Sequence, residues 1–181
     1  MKMTRRDFLK QSSFATAAFL VSFYIPQKAR AQMIASEALE PNAFIQLTKK
    51  NEITFFLPQA EMGQGAYSAL AMCIADEMDA KWETIAFEPS PVGERYNIPG
   101  MPMMLTGGSN SVRTRHLQMR QIGANIRFML KTAASKYWGV PSASISTKES
   151  LLINTKTKEA LPYGFFVDVI RVMKTPSEVA L

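Results

Sequence analysis

Two stretches of the sequence place apolar residues at the three- and four-residue steps of an amphipathic helix. The first stripe consists of Leu70, Ala71, Ile74 and Met78, in a helix that begins near Tyr67. The second is longer and consists of Val112, Met119, Ile122, Ile126, Met129, Leu130, Ala133 and Tyr137. Each helix must bury its apolar side against another element, and this requirement limits the folds open to the chain.

Short alternating segments supply a partner surface for these helices. Apolar residues occur at Phe44, Ile45 and Leu47 and alternate at Ile53, Phe55 and Leu57, on either side of a polar turn, which predicts a two-stranded hairpin. We expect a further strand at 82–88, an irregular proline-rich loop at 89–105 and a C-terminal hairpin at 151–153 and 160–161. The sequence therefore predicts an α+β fold, with two amphipathic helices packed on a small mixed β-sheet that these strands form together.

The first 31 residues resemble an export signal. Thr4-Arg5-Arg6-Asp7-Phe8-Leu9-Lys10 fits the twin-arginine motif, an uncharged stretch follows as far as Pro26, and Ala29-Arg30-Ala31 fits a signal-peptidase site. We expect export by the twin-arginine route, cleavage before Gln32, and a periplasmic or membrane-associated product. An uncleaved membrane anchor and an amphipathic helix with an accidental arginine pair are the alternatives.

The charge of the chain lies mostly in this N-terminal segment. Six of the 21 basic residues and one of the 15 acidic residues fall within 1–31, which leaves 15 basic and 14 acidic residues for the remainder. The balance gives no support for nucleic-acid binding. We expect residues 32–42 to form a polar linker and residues 43–181 to form one domain.

Cysteine and histidine each occur only once, as Cys73 and His116. An intramolecular disulfide, a four-cysteine iron–sulfur site and a multi-histidine metal site are therefore excluded within this chain. With a single histidine, a Ser-His-Asp triad has only one candidate for its base.

Two glycine-rich loops each precede a predicted helix. The first is Gly63-Gln64-Gly65, and the second is Thr106-Gly107-Gly108-Ser109-Asn110-Ser111. Free N–H groups at a helix start attract anions, and glycine lets a ligand approach the backbone. Each loop taken singly fits a turn with an N-cap as well as it fits a ligand site. Neither loop carries the lysine of a phosphate-binding P-loop. We predict that the two loops converge on one anionic site.

Three motifs together resemble the molybdopterin-binding large subunit of the xanthine dehydrogenase and aldehyde oxidase family, in its isoquinoline 1-oxidoreductase beta-subunit branch. They are Glu61-Met62-Gly63-Gln64-Gly65, the segment from Met101 to Arg113 with its Gly/Ser loop, and Trp138-Gly139-Val140-Pro141. The resemblance implies molybdopterin cytosine dinucleotide as cofactor. It implies cofactor binding by Gly63, Gln64, Gly65, Gly107, Gly108, Ser109 and Ser111. The basic residues along the second helix favour a solvated face, and Arg113 and Arg115, which lie near the loop, are alternatively candidates for an anion clamp.

The resemblance also implies an activity, partners and an incomplete site. Such enzymes insert a water-derived oxygen into an N-heteroaromatic compound or an aldehyde, and electrons leave through a small subunit with [2Fe-2S] clusters. Family large subunits are several times longer and carry a catalytic glutamate near their C-terminus. We therefore expect an N-terminal portion, truncated or split, that needs a missing C-terminal portion or a second polypeptide and has no catalytic or metal-ligating residue of its own. An exported binding or assembly module without cofactor, and a nucleotide-phosphate enzyme, are the competing hypotheses.

Overall fold

A computed structural model describes residues 38–42, 44–176 and 179–181 of the chain. The predicted signal peptide, 1–31, lies outside the described residues. The strands are β1 (Ala38–Asn42), β2 (Ile45–Thr48), β3 (Ile53–Leu57), β4 (Ile85–Pro89), β5 (Ile145–Lys148), β6 (Leu151–Asn154) and β7 (Ala160–Pro162). The helices are α1 (Ala66–Met78), α2 (Asn110–Arg113), α3 (His116–Trp138) and α4 (Val167–Arg171).

The first sheet has the strand order β1-β2-β3-β4. The predicted hairpin is confirmed, because β2 and β3 pair antiparallel with Ile45 opposite Phe55. Strand β4 joins the other side of β3 in parallel, so the sheet is mixed. Alternation turns Ile45, Leu47, Ile53, Phe55 and Leu57 into the core, where each is at most 1 % exposed. The last five residues of the expected linker, 38–42, form β1 and pair with β2.

The C-terminal strands form a second sheet, so the expectation that all strands share one sheet is wrong. Its order is β5-β6-β7, and both pairings are antiparallel. Strand β5 was not expected from the sequence, and it occupies the free side of β6. The 23 residues of α3 carry the chain about 35 Å from the second glycine loop, at 1.5 Å per residue. The strands that follow pair with each other and not with the first sheet.

Helices α1 and α3 pack closely against each other, and Gly123 marks the point of contact. A Cβ atom at Gly123 would lie 2.5 Å from the Ile74 carbonyl oxygen and 2.9 Å from the Glu77 Cβ. The largely buried Glu77 carboxylate accepts from Arg120 at 2.6 Å and lies 3.4 Å from Arg127, so charged pairs also link the two helices.

The predicted helical stripes are confirmed except at the two ends of the second one. The positions from Met119 to Ala133 are buried, whereas Val112 and Tyr137 are exposed. The helix expected from Val112 onward is interrupted at Thr114 and Arg115, which separate the single turn of α2 from α3. The predicted α+β class is confirmed. Within the described part of the chain, the helices are too short or too polar to cross a membrane.

Candidate functional site

The first glycine loop is held by a carboxylate from its own sequence. Gly63 and Gly65 have φ values of 87° and 74°, which favour glycine. The Oε1 atom of Glu61 accepts the N–H groups of Gly63 (2.9 Å) and Gly65 (3.1 Å), and Oε2 accepts that of Tyr67 (3.0 Å). The expectation of free N–H groups at this helix start is therefore wrong for these three donors.

Glu61 also sets the charge at this loop. Its hydrogen bond from the Tyr67 N–H, followed by those from Gly65 and Gly63, lowers the pKa of the Glu61 carboxyl despite the opposing effect of desolvation. The group is consequently ionised at neutral pH. A second anion at the start of α1 would meet a carboxylate already bound there.

The side chain of Gln64 folds back on the same loop. Its Oε1 accepts the Met62 N–H at 2.5 Å, and its Nε2 donates to the Ala60 carbonyl at 2.7 Å. The amide retains one further N–H and one further lone pair, and the residue is exposed. Gln64 can therefore offer a ligand one donor and one acceptor from a fixed position. Its binding role stays a prediction.

The second glycine loop differs from the first because the donors of Gly108 and Ser109 have no partner in the described chain. Gly108 and Ser109 both have positive φ, 58° and 53°. The N–H groups of these two residues and the Ser109 hydroxyl make no hydrogen bond to any described residue. A Cβ at Gly108 would meet no atom within 4 Å, so a ligand can approach the backbone there. Gly107, in contrast, uses its carbonyl to accept the Asn110 N–H.

The two loops lie side by side. The Ala60 N–H, just before the first loop, donates to Thr106 Oγ1 at 2.8 Å, at the start of the second. The buried Gln59 side chain supports the same junction, with its amide nitrogen 3.0 Å from Thr106 Oγ1 and 3.1 Å from the Leu105 carbonyl. Ser111 Oγ lies 3.3 Å from the Gln59 amide, so this predicted ligand hydroxyl already contacts the protein.

Arg115 supports this junction through its contact with Gln59. The side chain is fully buried, with 0 % of its surface exposed. Its Nη2 donates to the Tyr96 carbonyl at 2.6 Å, its Nη1 to Gln118 at 3.1 Å, and its Nε to the Gln59 amide oxygen at 2.7 Å. Burial lowers the pKa of the Arg115 guanidinium. Arg115 therefore lies neither on a solvated face nor in a surface clamp, whereas Arg113 is exposed near the loop.

Sequence reasoning did not identify Gln59, Glu61 or Arg115 as the residues that organise the loops. Glu61 stood in a quoted motif but was assigned no role, and Gln59 follows Pro58 in a stretch without a periodic pattern. The available sequence signal was the gap in the apolar stripe between Val112 and Met119, where Thr114 and Arg115 lie.

The donor set decides which ligand group fits each loop. The free N–H groups and hydroxyl at Gly108 and Ser109 fit the oxygens of a phosphate group. The first loop already holds a carboxylate and fits a neutral polar edge. Among the described residues, no group of three or more His, Cys, Asp or Glu side chains is placed to hold a metal ion.

The fold is similar to part of two solved CO dehydrogenase structures. The Cu,Mo-CO dehydrogenase in its carbon monoxide reduced state matches with a TM-score of 0.50 and 13 % identity, over 86 % of this chain and 23 % of that one. Reconstituted CO dehydrogenase from Oligotropha carboxidovorans matches with a TM-score of 0.51 and 14 % identity, over 86 % and 22 %. At such identities the likeness establishes the fold alone.

Sequence comparison identifies homologous proteins. The chain is homologous to the isoquinoline 1-oxidoreductase subunit beta of Brevundimonas diminuta, with 25 % identity over 180 residues, 95 % of this chain and 22 % of that protein. It is 29 % identical over 156 residues to the membrane-bound aldehyde dehydrogenase (pyrroloquinoline-quinone) of Gluconacetobacter polyoxogenes, over 83 % of this chain and 19 % of that protein. No protein-family model matches. The resemblance inferred from the motifs is thereby confirmed, and the chain spans about a fifth of the length of these relatives.

Proposed function

We propose that this chain is the N-terminal, cofactor-binding portion of the large subunit of a molybdenum hydroxylase that acts on N-heteroaromatic compounds or aldehydes. One observation carries the proposal: two glycine loops lie side by side, joined by the Ala60–Thr106 hydrogen bond, and the second has unused donors. The homology to an isoquinoline 1-oxidoreductase subunit supports the class of reaction.

The proposed cofactor is molybdopterin cytosine dinucleotide, and each loop has its own part in holding it. Gly107, Gly108, Ser109 and Ser111 form the loop suited to the phosphate groups, where Ser109 contributes both an N–H and a hydroxyl. Gly63, Gln64 and Gly65 form the loop suited to a neutral polar part, because Glu61 repels a further anion there. When bound, the cofactor supplies the redox chemistry by which a water-derived oxygen enters the substrate.

The proposal includes partners and a location. A small subunit with [2Fe-2S] clusters would carry electrons, since Cys73 is the only cysteine of this chain. A further portion of the large subunit, as a longer chain or a second polypeptide, would add the remaining cofactor contacts and the catalytic glutamate. Residues 1–31 would direct the protein to the periplasm by the twin-arginine route.

Two alternatives make different predictions about cofactor content. An exported assembly module would bind neither metal nor pterin. A quinone cofactor is suggested by the name of the aldehyde dehydrogenase relative, which refers to pyrroloquinoline quinone. Free N–H groups at the second loop would also attract the carboxylates of such a quinone, so chemical identification of the cofactor has to decide.

The test is to co-express the full chain with the C-terminal portion of a homologous large subunit and a [2Fe-2S] small subunit. Molybdenum and pterin would then be measured in the purified complex. Ser109→Asp places a negative charge among the proposed phosphate donors, and Ser142→Asp is the matched control at an exposed turn away from both loops. We expect Ser109→Asp alone to lose molybdenum and pterin. A wild-type complex that contains quinone, or no cofactor at all, would overturn the proposal.

A further inference from the structure

Arg115 is a buried cation that the proposed function does not use. No ion pair of the described chain involves it, and its three hydrogen-bond acceptors are all neutral. A buried charge without a counter-ion is costly, so the hydrogen bonds that Arg115 makes must offset that cost.

The acceptors of Arg115 belong to three separate segments. Tyr96 lies in the proline-rich loop, Gln118 lies in α3, and Gln59 follows β3. A guanidinium group is planar and directs its donors in a fixed fork, which a lysine cannot reproduce. Arg115 therefore fixes the relative positions of these three segments.

Gln59 transmits this constraint to the glycine loops. Because Arg115 only donates, the amide oxygen of Gln59 must face its Nε, and the amide nitrogen must then face Thr106 and Leu105. Thr106 Oγ1 also accepts the Ala60 N–H. Contacts thus run from Arg115 to Gln59, from Gln59 to Thr106, and from Thr106 to Ala60. Thr106 begins the second glycine loop, and Ala60 lies just before the first.

We propose that Arg115 is a positioning residue, which through Gln59 holds the second glycine loop against the first, and whose unneutralised charge favours an anion at Gly108 and Ser109. The first part depends on the contacts alone. The second part rests on the proposed function.

The first part can be measured without a ligand. The amide of Ala60 reports on the junction, so its hydrogen exchange would be followed by NMR in the full chain. Arg115→Lys keeps the charge and loses the fork, and Arg115→Gln loses both. We expect the Ala60 amide to exchange about tenfold faster or more in both variants, because a hydrogen bond to a charged group is lost from the junction. Lys136→Gln, exposed near the end of α3, is the control for charge alone.

General destabilisation would give a different pattern from loss of positioning. It would speed exchange at the buried amides of α3, such as Ile126 and Leu130, as much as at Ala60. Thr106→Val removes the acceptor of the Ala60 N–H, so its effect on Ala60 exchange should not add to that of Arg115→Lys. Additive effects, or Ala60 exchange unchanged in Arg115→Lys, would overturn the proposal.

A second variant keeps the test possible if substitutions of Arg115 fail to fold. Gln59→Glu retains an acceptor for Arg115 and gives it a counter-charge, while it places an oxygen against the Leu105 carbonyl. This variant should remain folded and still show the faster exchange at Ala60. A folded Gln59→Glu variant with wild-type exchange at Ala60 would contradict the positioning role.

Cytidine diphosphate is the probe for the second part, because it carries the pyrophosphate group of the proposed dinucleotide. Shifts of the Gly108 and Ser109 amides would give its affinity for the wild type and the variants. We expect weaker binding in Arg115→Gln than in Arg115→Lys, and no change in Lys136→Gln. Equal binding by the two Arg115 variants would exclude the charge effect. Failure of the wild type to bind the probe would count against the proposed function and leave the Ala60 result intact.

Discussion

At the scale of single residues, Glu61 determines how α1 begins. Its carboxylate accepts the N–H groups of Gly63, Gly65 and Tyr67, which would otherwise lack partners at the helix start. We expect Glu61→Ala to accelerate hydrogen exchange at these three amides, with little change in the core of α3. Glu61→Gln keeps the shape and removes the charge, so it should lie between the wild type and Glu61→Ala. NMR-detected exchange measures both variants.

This contribution of Glu61 depends on pH with a definite sign. Its pKa is lowered in the folded protein, chiefly by the Tyr67 N–H, so the bound state of the loop favours the ionised carboxylate. The stabilising effect is present above the ordinary carboxyl pKa and is lost as the pH falls through the lowered value. The difference in amide hydrogen exchange between the wild type and Glu61→Gln should therefore vanish in acid. A difference that stays constant as the pH is lowered would contradict this account.

The sequence located the two glycine loops, but not the contacts that hold them. Gly63 and Gly65 do adopt conformations that require glycine, and Gly108 does face open space. The sequence could not show that Glu61 binds its own loop, since an acid next to two glycines fits a ligand contact equally well. Nor could it show that Arg115 is buried, because an arginine next to exposed Arg113 has no sequence signature of burial.

At the scale of secondary structure, the contact between α1 and α3 depends on the absence of a side chain at Gly123. A Cβ there would lie 2.5 Å from the Ile74 carbonyl oxygen, and a backbone atom cannot rotate away. We expect Gly123→Ala to lower the free energy of unfolding by about 1–3 kcal/mol, the usual cost of overpacking. This would occur although alanine favours a helix over glycine by about 1 kcal/mol.

Chemical denaturation of Gly123→Ala, with Lys136→Ala as the control, tests this contact. Lys136 is exposed on the same helix, so its substitution should change stability by no more than about 0.5 kcal/mol. A Gly123→Ala protein more stable than the wild type would show that the helices can separate without cost.

The helices and the hairpin were predictable because their patterns are long and periodic. The apolar stripe from Met119 to Ala133 spans four turns, and its residues are buried in the structure. Strand β5 escaped prediction because its four residues, Ile145–Lys148, include a single buried apolar position. The separation of the strands into two sheets depends on which edges meet in space, and no local pattern in the sequence encodes that.

At the scale of the whole molecule, the C-terminal segment is tied to the first half of the domain by Tyr163 and Gly164. The Tyr163 hydroxyl donates to the Met78 carbonyl at 2.5 Å, at the end of α1. The Gly164 N–H donates to Asn51 Oδ1 at 2.9 Å, in the turn between β2 and β3. A Cβ at Gly164 would lie 2.6 Å from the Lys49 carbonyl oxygen, so this approach also requires glycine. The segment after β7 therefore connects the second sheet to both α1 and the first sheet.

Tyr163 makes the stability of the whole domain sensitive to alkali. Burial, reinforced by the charge of Asp79, raises the pKa of the Tyr163 hydroxyl well above its ordinary value of 10.0. Below pH 10 the protonated hydroxyl stabilises the folded state fully. Above that pH the unfolded chain loses this proton first, and stability falls by about 1.4 kcal/mol per pH unit until the folded pKa is reached.

Tyr163→Phe should separate this effect from every other titration. At pH 8 the variant should be less stable than the wild type by about 1–3 kcal/mol, because the buried Met78 carbonyl loses its donor. As the pH rises above 10 the gap should narrow, since phenylalanine has no proton to lose. Denaturant unfolding at pH 8, 10 and 11 measures the gap. Ile170→Val, a buried substitution in α4 that costs about 0.5–1.5 kcal/mol, should stay below the wild type by the same amount throughout. A gap that is equally constant for Tyr163→Phe would mean that Tyr163 ionises as easily in the folded protein as in the unfolded chain, and that the tie to Met78 does not depend on its proton.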